Sequence, residues 1–212
     1  MTNLFNFRKE YAQGKLSIED LESSPIDQFQ KWFEQITLLG LPDPNAMVLS
    51  TSGADNRPSS RLVLLKEFSS EGFSFFTNYN SRKGKQIDEN PYGCMLFAWH
   101  FLERQIRIEG KIKKLSAQKS DQYFENRPVR SRVGAWTSPQ SKVIPSREYL
   151  EEREKNFRDE FNSDSVPRPP EWGGYILTPT TFEFWQGREN RLHDRFEYRE
   201  EGSGWNIVRL AP

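Results

Sequence analysis

Between Ile26 and Leu39 the apolar residues Ile26, Phe29, Phe33 and Ile36 recur at helical spacing, with Trp32 beside them. The pattern predicts an amphipathic helix that ends near "GLPDP". The period then changes. "MVLSTS" (47–52), "SSRLVLLKEFS" (59–69) and "GFSFFTN" (72–78) read as strands bounded by Gly, Pro, Asn and Asp, with a hairpin turn at "SSEG". "YGCMLFAWH" (92–100) is apolar on both alternating faces, which predicts a central strand covered on both sides. "RQIRIEGKIKKL" (104–115) alternates: Ile106, Ile108 and Ile112 point one way, and Gln105, Arg107, Glu109, Lys111 and Lys113 the other. "GGYILTPTTFEFWQG", "RFEYRE" and "WNIVRLAP" supply the closing strands.

Helices interrupt this series. One fits 81–90, before Pro91. A second fits 117–127, with Ser116 as N-cap and Pro128 as stop, and a third fits 146–161, with Ser146 as N-cap. "SDSVPRPPEW" is a Pro-rich loop. Many short strands joined by short turns predict a mainly β protein with added helices, an antiparallel Greek-key-like barrel. No GxGxxG is present. Residues 1–24, polar with scattered aromatics, are expected to form an N-terminal arm, and 25–212 the folded domain.

Composition narrows the function. Of 212 residues, 14% are aromatic, enough to fill a core although the hydrophobic fraction is 35%. Lys plus Arg and Asp plus Glu both number 30, so there is no global basic field for nucleic acid and any anion site must be local. "EYLEEREKN" would repel a phosphate backbone. The single cysteine, Cys94, allows no disulfide within the chain and no cysteine-based metal motif, and reads as a buried apolar residue. The N-terminus lacks a long apolar stretch and no run reaches membrane-span length, so a cytoplasmic protein is expected.

The cations form local groups. Arg82, Lys83 and Lys85 fall in the first turns of the 81–90 helix, where they oppose the macrodipole unless an anion sits at the free N–H groups. A solvated basic patch and a phosphate site fit this stretch equally. Arg61 lies among Leu62, Val63, Leu64 and Leu65 and needs a partner. Lys66 is an odd number of residues away, so an unbulged strand sends it to the other face. Tyr123 and Arg127 share a helix face, with Ser131 just past the helix end, a phosphate clamp in outline. Three such groups imply more than one phosphate.

"RLVLLK" (61–66), "FFTNYNSRKGKQI" (75–87), "WHFLERQIRIEG" (99–110), "YFENRPVRSRVGAW" (123–136), "SPQS" (138–141), "EFWQGRENRLHDRF" (183–196) and the final "IVRLAP" together resemble the pyridoxamine 5′-phosphate oxidase family from about residue 8 to the end. The resemblance implies an FMN-binding split β-barrel and a homodimer with flavin at the interface. It implies oxidation of pyridoxamine 5′-phosphate or pyridoxine 5′-phosphate to pyridoxal 5′-phosphate, with dioxygen reduced to hydrogen peroxide. By matching positions, FMN contacts are expected from Arg61, Leu62, Val63, Leu64, Leu65 and Lys66, then Phe76 and Thr77, Arg82 and Lys83, Gln105, Gln140 and Ser141, Trp185 and Arg195. Substrate contacts are expected from Lys66, Tyr123, Arg127, Ser131, Arg191 and His193, the last two being the catalytic pair. "RKEY" (8–11) matches a segment that in the family folds over the occupied site. The chain departs from the commonest pattern at Arg188 and Asn190.

Arg191, His193 and Arg195 alternate, so an extended segment would aim all three one way. Arg191 and His193 would then meet the substrate while Arg195 and Trp185 hold the flavin. His193 is expected to bind more than to act as a base, and His100 to be structural. A flavin protein with another substrate, or a carrier of pyridoxal 5′-phosphate without turnover, would share the barrel but not need the whole substrate set.

Overall fold

The structure, a computed structural model, describes residues 3–6, 10–161, 165–202 and 204–212. Helix α1 (Pro25–Thr37) starts where Ser24 accepts a hydrogen bond from the Asp27 N–H and Pro25 presets the first turn. Its Phe29, Trp32 and Ile36 face inward. Nine strands follow: β1 (Ala46–Ser52), β2 (Pro58–Leu64), β3 (Glu67–Ser69), β4 (Gly72–Asn78), β5 (Tyr92–Trp99), β6 (Arg104–Lys114), β7 (Trp172–Gln186), β8 (Asp194–Glu201) and β9 (Gly204–Leu210). Four more helices decorate them: α2 (Arg82–Glu89), α3 (Ala117–Glu125), α4 (Val129–Thr137) and α5 (Arg147–Glu160).

The strands form one antiparallel sheet in the order β2-β1-β5-β6-β7-β4-β3, with β8 pairing β7 and β9 pairing β8. Strand β7 organises it. Along one edge it pairs β6 for nearly its whole length. Along the other its first half pairs β4, from Trp172↔Asn78 to Leu177↔Phe73, and its second half pairs β8, from Thr181↔Arg199 to Gln186↔Asp194. Pro179, which has no N–H to donate, sits at the changeover. A bulge between Glu109 and Gly110 on β6 lies opposite. Gly110 is required there, since a Cβ would stand 2.1 Å from the Thr178 carbonyl oxygen.

Inside the curled sheet, Phe29 is fully buried and meets the rings of Phe68, Phe73 and Phe97 edge-on at 4.9, 4.9 and 5.1 Å. Phe182, Phe184, Phe196 and Tyr198 close the other side. A smaller cluster of Phe124, Val133, Val166 and Trp172 lies under α3 and α4. The fold is a split barrel of antiparallel strands with helices laid on it, as the turn spacing predicts.

Several expected boundaries differ. The 59–69 strand is two strands. At Leu65 the chain leaves β1 and crosses to β4: the Leu65 N–H donates to Asn45 O and the Lys66 N–H to Ser74 O. The odd spacing of Arg61 and Lys66 therefore does not set their faces. Strand β5 is central, between β1 and β6, but within one chain only one of its faces is buried. Cys94, on the other face, is half-buried instead of buried, and desolvation pushes its thiol up to about 11. Pro128 does not merely end α3. Its carbonyl accepts the N–H groups of Ser131 and Arg132 and opens α4, a helix absent from the sequence reading, so Ser131 is helical and Arg127 lies in the turn. No helix among the described residues is long and apolar enough to cross a membrane.

Phe29→Ala should cost about 3–5 kcal/mol of stability, because a ring shared by α1, β3, β4 and β5 leaves a cavity that the sheet cannot collapse into. Equilibrium urea unfolding checks this.

Candidate functional site

A cleft of about 660 Å³ opens between the ends of β2 and β4 and the helices α3 and α4. Leu62, Val63, Leu64 and Lys66 form one wall, and Tyr123, Arg127, Ser131 and Gln140 the other. Phe76, Thr77, Lys83 and Trp172 lie between them. Phe76 lies flat because residue 174 is glycine; a Cβ there would stand 2.7 Å from Phe76 Cε1.

Lys83 is 9% exposed in the first turn of α2, which Ser81 caps by accepting from the Gly84 N–H. Its ammonium donates to Thr77 Oγ1 at 3.1 Å and Gln140 Oε1 at 3.3 Å, both neutral acceptors. Arg61 reaches across β1 to Leu49 O and Thr51 Oγ1, and to Ser59 Oγ. None of these is a carboxylate. Burial, then the nearby Arg61 charge, pulls Lys83 down to about 8. Burial and Arg82 lower Arg61 as well. Arg127 Nη1 is buried with no hydrogen-bond partner among the described residues, and desolvation lowers its pKa. Lys83 and Arg127 are thus partly desolvated in one cleft, with Arg61 near Lys83 at the start of α2, an arrangement that an anion relieves.

The Arg61–Lys83–Arg82 group suits one phosphate and the Lys66–Tyr123–Arg127–Ser131 group a second. Comparison with known proteins decides what shares this design. The model of the family "Pyridoxamine 5'-phosphate oxidase" matches residues 34–157, and that of the "Pyridoxine 5'-phosphate oxidase C-terminal dimerisation region" matches 172–212. The chain is 52% identical over 213 residues to the pyridoxine/pyridoxamine 5′-phosphate oxidase of Cupriavidus taiwanensis, with both chains fully covered. It is 52% identical over 208 residues to that of Bordetella avium, with 98% of each covered. The chain belongs to the pyridoxamine 5′-phosphate oxidase family. Among solved structures it resembles PhzG from Burkholderia lata in complex with tetrahydrophenazine-1-carboxylic acid, at TM-score 0.86 and 30% identity over 92% of this chain and 95% of that one. An FMN-binding protein from Nostoc punctiforme, 16% identical with TM-score 0.71 over 91% of this chain and 100% of that one, shares the fold.

The other residues expected from this oxidase family lie elsewhere. Gln105, Trp185 and Arg195 stand side by side on β6, β7 and β8 through the pairs Gln105↔Trp185 and Trp185↔Arg195. His193 packs on Trp185, ring centres 4.6 Å apart. Trp185 and the cleft residue Trp172 are at opposite ends of the 15-residue β7. At roughly 3.3 Å per residue, tens of ångströms of strand separate the two groups. One chain therefore does not bring them together. Leu65 turns into the core, and Arg82 and Ser141 are exposed beside the cleft.

The segment before β8 is not extended. Glu189–Arg191 forms a 3-10 turn, with Asn190 at φ 53° and Arg191 at φ 62°. The alternation of 191, 193 and 195 does not hold, and Arg191 is exposed. Two left-handed residues in succession reverse the chain, a conformation that Asn tolerates. His193 instead turns its Nδ1 to the Arg188 N–H at 3.1 Å. Burial and then Arg191 lower its pKa, with Asp194 opposing, which favours the neutral ring, and the accepting Nδ1 leaves Nε2 to carry the proton of that form. His100 is exposed on a 3-10 turn, where its carbonyl accepts the Glu103 N–H.

One feature escaped sequence reading. Arg195 is held by Glu183, which is buried, through a 2.6 Å ion pair, and its Nη1 donates to Ala211 O. Glu183 also faces Arg107 at 2.8 Å, an ion pair without the alignment of a hydrogen bond. An acid between Phe182 and Phe184 was the available signal. Tyr11, the last residue of "RKEY", sets its ring against His193 and Trp185, with centres 5.6 and 5.7 Å away. The arm there is tied by the Gln13 N–H to Glu103 and the Leu16 N–H to Asp194. Arg8 and Lys9 of "RKEY" lie outside the described residues.

Lys83 generates a signed pH dependence. Its folded pKa of about 8 lies below its ordinary 10.5, so between these values the unfolded chain binds more protons, and stability without ligand rises with pH across that window. A bound phosphate group restores the charge. Its affinity should therefore fall as pH climbs past about 8, with proton uptake on binding. Calorimetry of FMN binding at high pH in two buffers of different ionisation enthalpy should show that uptake, and Lys83→Met should remove it.

Proposed function

We propose that this chain catalyses the FMN-dependent oxidation of pyridoxamine 5′-phosphate or pyridoxine 5′-phosphate to pyridoxal 5′-phosphate, with dioxygen reduced to hydrogen peroxide. The observation that carries this reading is the pair of cations Lys83 and Arg127 in one cleft, with Arg61 close enough to Lys83 to lower its pKa, whose described partners include no carboxylate. The donor set suits the phosphate of FMN: Lys83, a buried ammonium with only neutral acceptors, and Arg61, whose hydrogen bonds also go only to neutral oxygens. When bound, FMN supplies the two-electron acceptor.

The protein's part is binding and orientation. Arg61, Arg82 and Lys83 would hold the flavin phosphate, with Thr77, Gln140, Ser141 and the 62–65 segment completing the binding site. Lys66, Tyr123, Arg127 and Ser131 take the substrate phosphate. Charge-assisted hydrogen bonds contribute roughly 1.5–3 kcal/mol each, so the remote phosphate fixes the reacting carbon in place.

Gln105, Trp185, Arg191, His193 and Arg195 come from a second copy. Two observations support this: 172–212 matches the dimerisation region, and the two groups occupy opposite ends of β7. The homodimer then holds two shared sites. His193 offers Nε2–H to the substrate and so acts as a hydrogen-bond donor, not as a base. Arg191 steadies the substrate's electron-rich groups.

The absorption spectrum of the FMN-loaded protein tests the reading. It should bleach on anaerobic addition of pyridoxamine 5′-phosphate and return on admitting air. A flavin spectrum indifferent to that substrate would move the function to another flavin reaction, and failure to retain FMN would end the cofactor assignment. Arg191→Ala should lower turnover at least about tenfold while flavin content stays near wild type. Equal activity would remove Arg191 from the catalytic pair.

A further inference from the structure

We propose that Trp172 is a positioning residue: its ring holds the Arg127 guanidinium at the phosphate end of the cleft and so sets the preference for a phosphorylated substrate. This rests on the function proposed above. Arg127 Cζ stands 4.6 Å from the Trp172 ring centre and 5.6 Å from that of Phe124. Arg127 makes no ion pair among the described residues, and its buried Nη1 has no partner. What fixes this guanidinium is aromatic surface.

The nature of that support matters. A carboxylate would fix Arg127 equally well, but would neutralise the charge an incoming phosphate needs. A ring face orients the guanidinium through its quadrupole and dispersion and leaves the full charge and the outer N–H groups for the ligand.

Trp172 is itself held. It is 7% exposed, and its ring is nearly parallel to those of Phe76, at 15° and 5.6 Å, and Tyr123, at 6° and 6.1 Å. Its carbonyl accepts from Arg168 Nη1 at 2.6 Å, and Arg168 Nε is bonded to Asp121 of α3, also at 2.6 Å. The start of β7 and the helix bearing Tyr123 are thus one unit, with Arg127 laid on its aromatic face.

The test uses the full-length FMN-loaded enzyme and measures kcat and KM for pyridoxamine 5′-phosphate and for pyridoxamine. Trp172→Leu should raise KM for the phosphorylated amine about tenfold. It should leave kcat within about threefold, and should shrink the preference over pyridoxamine by the same factor as the KM rise. Trp172→Phe, which keeps a weaker ring face, should show a smaller shift of the same kind, and is the deciding variant should Trp172→Leu not fold. In an Arg127→Ala background Trp172→Phe should add nothing. If it adds as much there as in wild type, or if both substrates lose kcat/KM equally, Trp172 is a packing residue and the inference is overturned. A wild-type enzyme with no preference for the phosphorylated amine overturns the substrate reading first, and this inference with it.

Discussion

Arg61, Lys83 and Arg127 are withdrawn from water without a carboxylate among their described partners, and the framework around them has to sustain that imbalance. Burial lowers the pKa of each. Neutral oxygens from Leu49, Thr51, Ser59, Thr77 and Gln140 partly offset the lost hydration of Arg61 and Lys83. Arg127 has aromatic rings instead. Such an arrangement stands only on a stiff scaffold, because each side chain would otherwise swing to solvent or to an acid. The phenylalanine-rich barrel core supplies that stiffness directly beneath β2 and β4.

Strand β7 converts this local chemistry into an architecture. Its first half takes β4 and presents Trp172 to the cleft, and its second half takes β8 and presents Trp185 to the His193 group. The changeover at Pro179 and the bulge at Gly110 let one strand serve two neighbours on the same edge. The same feature keeps the two groups apart within one chain. A site that needs both is naturally a property of two copies.

Much of this was legible in the residues. The alternation in 104–115, the caps Ser116 and Ser146 and the Ser69–Gly72 turn gave strands and helices close to those observed. Arg61 stood out because charge among apolar neighbours needs a reason, Lys83 because a cation in the first turn of a helix opposes its dipole, and Tyr123 with Arg127 because residues four apart share a helix face. What stayed hidden depends on contacts distant in sequence. The crossing at Leu65 is set by Asn45 and Ser74. Helix α4 follows a Pro that reads locally as a stop. The turn at 189–191 has no apolar period to reveal it, and the alternation of Arg191, His193 and Arg195 suggested a strand instead. Glu183 looked like an ordinary polar position on a strand until Arg107 and Arg195 were found on either side of it.

The Glu183 arrangement also limits how such a sequence can drift. One carboxylate faces guanidinium groups from two neighbouring strands, so losing Arg195 leaves a buried acid with only the misaligned Arg107, and losing the acid takes away the 2.6 Å partner of Arg195, while Arg107 keeps Glu109 at 2.9 Å. Neither Glu183 nor Arg195 has a neutral single step available. Over time these two positions should change together or not at all, and anyone grafting this site onto another barrel would have to transfer Glu183 and Arg195 as one piece.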